Sequence, residues 1–102
     1  MALKEQLYDM IIDFSIRNKI DYYGERNKKT LYIGSEKIYS IQFKLKWLSD
    51  HYAIYVMIKN DNTCSPAIAS LWTTSDVVFF LEAVLSFKLI HAKRTNPNEN
   101  EE

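Results

Sequence analysis

The sequence predicts an α+β fold. The expected form is a two-layer sandwich in which an antiparallel sheet of three to four strands carries an N-terminal and a C-terminal helix on one face, in the order α-β-β-β-β-α. Three observations predict it. Leu3, Leu7, Met10, Ile11 and Phe14 recur at helical spacing. Residues 38–48 and 52–59 alternate with the period of two that a half-buried strand requires. Residues 77–90 are apolar nearly all round, as in a helix buried on more than one side.

Residues 3–18 form the first predicted helix, with Lys4, Glu5, Asp9, Asp13 and Arg17 on its polar side. Tyr8, Ile12 and Ile16 widen its apolar arc. A connection follows over residues 20–30, in which Tyr22 and Tyr23 can begin a short strand and Gly24 marks a turn. Leu31-Tyr32-Ile33 is a short strand ended by Gly34-Ser35, and a three-residue loop there sets Leu31 opposite Tyr39 and Ile33 opposite Lys37.

The two alternating runs constrain each other. With Trp47 opposite Tyr52, Leu45 meets Ile54, Phe43 meets Val56 and Ile41 meets Ile58. Every apolar residue of both strands then lies on one face, and a slip of one residue would send one strand's apolar set into water. The reverse face pairs Lys46 with Ala53, Lys44 with Tyr55 and Gln42 with Met57. The cluster Asn60–Pro66 is a turn, and a fourth strand is expected over residues 67–72. Thr73 to Asp76 offer caps for a second helix over residues 77–94. Residues 1–94 thus read as one domain, and residues 95–102 as a disordered acidic tail.

Composition supports a folded core. Of the 102 residues, 47% are hydrophobic and 25% charged, with a formal net charge of +0, unlike a disordered chain. The single cysteine excludes an internal disulfide framework. No apolar run reaches the roughly 20 residues of a membrane span, and no secretory signal is read at the N-terminus, so a soluble, cytoplasmic protein is expected. The charge is unevenly spread. Residues 26–59 hold seven basic groups against Glu36 and Asp50, whereas both ends are acidic.

Two surfaces stand out. Lys44, Lys46 and Lys59 share a face with Tyr55, and cations beside a ring suit the phosphates and bases of single-stranded nucleic acid. Such lysines are also ordinary on the solvated face of an antiparallel sheet. On the helices, Tyr8, Ile12, Ile16, Phe79, Ala83 and Ile90 offer more apolar surface than one sheet covers, a candidate protein-interaction surface. Glu5, Asp9 and Asp13 stack along one helical face, which is more simply a solvated face than a docking site.

The order helix, strands, helix resembles that of double-stranded-RNA-binding domains. The resemblance covers element order alone. The lysine-rich start of the second helix in that family is Thr74-Ser75-Asp76-Val77-Val78 here, so no residue or activity is carried over. Catalytic signals are weak. Cys64 and His51 are expected at opposite ends of one strand, and no phosphate loop, metal motif or nucleophile elbow occurs.

The expectation is a small non-enzymatic protein, without cofactor or metal, that binds another macromolecule. A protein partner or a second copy of the chain is favoured over nucleic acid. Abundant Lys, Asn, Ile and Tyr with scarce Gly and Pro suggest an AT-rich genome, the profile of inhibitor or accessory proteins from phages, mobile elements or bacteria.

Overall fold

The computed structural model describes residues 2–34, 41–58 and 64–95. Helix α1 (Leu3–Arg17) is followed by strands β1 (Tyr22–Gly24), β2 (Thr30–Ile33), β3 (Ile41–Trp47), β4 (Tyr52–Ile58) and β5 (Ala69–Leu71), then by helix α2 (Thr74–Thr95). The α+β class is as expected. The sheet, however, has five strands rather than three to four, because Tyr22–Gly24 pairs fully with β2. The order therefore also departs from the three-strand arrangement of double-stranded-RNA-binding domains. Residues 96–102, including most of the expected tail, lie outside the described residues.

α1 ends in a compact C-terminal motif. Asn18 caps it with both its backbone and side-chain N–H groups on the Phe14 carbonyl. Lys19 takes a left-handed conformation, φ 55°. Its N–H then donates to the Ile16 carbonyl and the N–H of Ile20 to that of Ser15, the paired bonds of a Schellman motif. The turn delivers Ile20 into the core.

The sheet is an antiparallel meander in which strand order follows chain order. The β3–β4 pairing has the expected register throughout, from Trp47 opposite Tyr52 to Ile41 opposite Ile58. The β2–β3 pairing does not. Leu31 lies opposite Leu45 and Ile33 opposite Phe43, not opposite Tyr39 and Lys37. The observed register gives both apolar residues of β2 apolar partners, whereas the expected one set a lysine against Ile33 on the core side.

Leu31, Ile33, Leu45, Tyr52, Ile54 and Leu71 form the inner face of the sheet. Leu7 and Ile11 of α1 and Val77, Leu81 and Val84 of α2 complete the same buried cluster. Phe43 meets Phe80 edge to face, centroids 5.6 Å apart, and Trp47 meets Tyr52 similarly at 5.1 Å. Both helices therefore cover one face and leave the other open. Among the described residues no helix is long and apolar enough to cross a membrane.

Candidate nucleic-acid interface

Side chains of directly opposed residues share a sheet face, so the pairings define what the open face carries. Tyr23 opposes Tyr32, Tyr32 opposes Lys44, and Lys44 opposes Tyr55. These four residues form one row across β1 to β4, about 14 Å long at the usual strand spacing. The rings of Tyr23 and Tyr32 are 6.3 Å apart and tilted by 37°. The Lys44 Nζ lies 5.8 Å from the Tyr55 ring centroid, within cation–π range. Tyr23 is the most open of the row, 72% exposed.

A second row, Thr30, Lys46, Ala53 and Ser70, runs beside the first. Ala53 is buried even though it lies on the outer face, between Lys46 and Ser70. At the β4–β5 end, His51 stacks on Trp72 and its Nδ1 lies 2.8 Å from the Asp50 carboxylate.

The loop joining β1 to β2 adds Lys28 and Lys29 to this side. With Tyr23, Glu25, Thr30 and Tyr32 they line a hollow of about 320 Å³. Lys28, Lys29, Lys44 and Lys46 form no ion pair with a described residue. On the helical side, Asp9 is engaged by Arg26 and Asp13 by Arg17. The open sheet face is thus cationic and aromatic, with Glu25 as the carboxylate in its hollow.

Lys44, Lys46 and Tyr55 come together as the alternation implied. Lys59 lies outside the described residues. The helical set does not form one surface. Tyr8 is a core residue, not a docking residue. It is 8% exposed and its hydroxyl donates to the Gly24 carbonyl at 3.3 Å, because α1 covers the β1–β2 hairpin as well as the central sheet. Ile12 is half-buried against the core and Ile16 is exposed. Phe79, 72% exposed, and Ala83 lie on the open side of α2, and the side chain of Ile90 lies outside the described residues. Phe79 borders a mostly apolar groove of about 290 Å³ lined also by Ile54, Ala69, Leu71 and Phe80, with Ser70 and Asp76 as its polar members.

Sequence reasoning missed Tyr23, Tyr32, Lys28 and Lys29. The signal for Tyr32 was present, since it alternates with the inward Leu31 and Ile33. Tyr23 becomes a neighbour only once β1 is recognised as a strand. Cys64 bridges to Met57 near the far end of β4, while His51 precedes its first residue. About six residues of extended chain, roughly 20 Å, separate them. Among the described residues no group of three His, Cys, Asp or Glu side chains could hold a metal ion. Comparison with protein-family models, curated proteins and solved structures finds no match for this chain.

Proposed function

We propose that this protein is a non-enzymatic binder of single-stranded nucleic acid that uses the open face of its sheet. The observation that carries the reading is the row Tyr23, Tyr32, Lys44 and Tyr55. Rings offer stacking platforms to bases of any sequence, and lysines between and beside them neutralise phosphates. A face four strands wide can stack about two or three bases. The +0 net charge does not oppose this, because the acidic groups of α1 lie on the other side of the sheet.

The test is fluorescence anisotropy with a labelled single-stranded oligonucleotide at low salt. Binding should weaken linearly in log–log form with salt, by about 0.7 per phosphate neutralised. Lys44→Glu with Lys46→Glu should abolish it, and Tyr55→Ala should weaken it by roughly 5- to 100-fold. No binding at low salt overturns the reading.

The exposed Phe79 beside its apolar groove favours a second reading, an inhibitor or accessory module that docks a protein or a second copy of this chain on α2 and β5. Light scattering decides the self-association form. A concentration-dependent dimer lost in Phe79→Asp supports it, and a strict monomer at high concentration removes it.

A further inference from the structure

Resting on the nucleic-acid reading, we propose that the hollow at the β1–β2 loop seats a nucleotide bearing a terminal phosphate, the phosphorylated end of the bound strand. The aromatic row runs out at β1, an edge strand, and the hollow lies at that edge. A strand tracking along the row therefore ends there or leaves the sheet.

The chemistry of the hollow distinguishes an end from an interior position. A terminal phosphomonoester carries more charge than an internal phosphodiester, and two lysines, Lys28 and Lys29, line the hollow. The Tyr23 and Tyr32 rings offer a surface for one base. Glu25, which also lines the hollow, can accept a hydrogen bond from an exocyclic base amine and repels phosphate, which favours the base on its side. A volume of about 320 Å³ is at the small end of ligand pockets and suits a single nucleotide.

The loop is held from both sides. Arg26 makes two hydrogen bonds to Asp9, Nε to Oδ1 at 3.1 Å and Nη2 to Oδ2 at 3.0 Å. Lys4 Nζ donates to the Arg26 carbonyl at 2.8 Å, and Trp47 N–H donates to the Lys29 carbonyl at 2.7 Å. Arg26 and Lys4 are thereby committed to the scaffold, whereas Lys28 and Lys29 are left to a ligand in a loop already in place.

The experiment compares one oligonucleotide sequence in three forms: 5′-phosphate, 3′-phosphate and hydroxyl at both ends, with free adenosine monophosphate as competitor. One phosphorylated form should bind about tenfold tighter than the hydroxyl form. Lys28→Ala with Lys29→Ala should erase that ratio, whereas Lys44→Ala with Lys46→Ala should weaken all three forms and preserve it. Equal binding of the three forms overturns the end-binding site and leaves the strand reading standing. Binding of the mononucleotide without any oligonucleotide keeps the hollow as a nucleotide site and overturns the strand reading. Binding of neither overturns both.

Discussion

The imidazole of His51 lies flat on the indole of Trp72, centroids 4.0 Å apart and planes 20° apart. The stack ties the turn before β4 to the residue that follows β5, at a corner where β5 supplies only three residues of pairing. His51→Ala should therefore lower stability by about 0.5–1.5 kcal/mol, the usual worth of a ring pair beyond its buried area. Urea denaturation measures this, and an unchanged midpoint would mean that the backbone pairing alone holds the corner.

Lys19 occupies the position in its helix-ending motif where glycine is favoured. A left-handed conformation costs a residue with a Cβ roughly 1–2 kcal/mol. Lys19→Gly relieves that strain but raises the entropy of the unfolded chain, so a net gain of about 0.5–1 kcal/mol is expected. A lowered thermal midpoint would show that the lysine side chain contributes more than its backbone strain costs.

Tyr52 is 1% exposed, and its hydroxyl has no hydrogen-bond partner among the described residues. Burial, with smaller contributions from Tyr8 and Glu5, pushes its phenol up from 10.0 to about 12. Below pH 10 the phenol is protonated in both folded and unfolded chains. Between 10 and about 12 the unfolded chain releases the proton while the folded chain keeps it. Stability is thus fully present below this window and falls as pH rises through it, by roughly 2–3 kcal/mol. Tyr52→Phe should remove this share of the alkaline loss. At neutral pH it should leave stability unchanged or raise it by about 1 kcal/mol, since it removes an unpartnered buried hydroxyl. Urea midpoints of both proteins across the alkaline range test the difference.

The start of α2 is closed reciprocally. Asp76 Oδ2 accepts from the N–H groups of Trp72 at 2.8 Å and Thr73 at 3.1 Å, and Thr73 Oγ1 accepts from the Asp76 N–H at 3.2 Å. The Trp72 amide first, then Thr73, holds the Asp76 carboxyl below its ordinary 3.8. Its contribution is present above pH 3.8 and disappears as pH falls below that toward the lowered folded value. Acid titration of the urea midpoint should show a smaller loss in Asp76→Asn. Thr73→Ala should cost about 0.5–2 kcal/mol at neutral pH.

The β3–β4 register was legible because two long alternating runs leave one solution that buries both apolar sets. β2 offers only Leu31 and Ile33, and any even shift of the pairing, here six residues from Tyr39 to Leu45 opposite Leu31, preserves the face while changing the partner. Period alone therefore could not place it, and Gly34-Ser35 suggested a tight turn whereas Ile33 pairs with Phe43. Lys44, Lys46 and Tyr55 followed from the alternation of β3 and β4. Tyr23, Lys28 and Lys29 did not, because their place depends on β1 and its loop to β2, and the three residues of β1 carry no period. Tyr8 was misplaced for a related reason, since an apolar arc shows that a helix side is covered but not by what.

Because each strand hydrogen-bonds to its immediate neighbour in sequence, no segment has to cross over another to complete the sheet. Successive hairpins can zip locally, whereas packing the two terminal helices on the sheet and on each other joins distant parts of the chain. Such connectivity places assembly among the faster mixed folds despite the all-antiparallel sheet. It also concentrates late folding in the docking of the two terminal helices, so substitutions at Leu7 or Val84 should accelerate unfolding far more than they slow refolding.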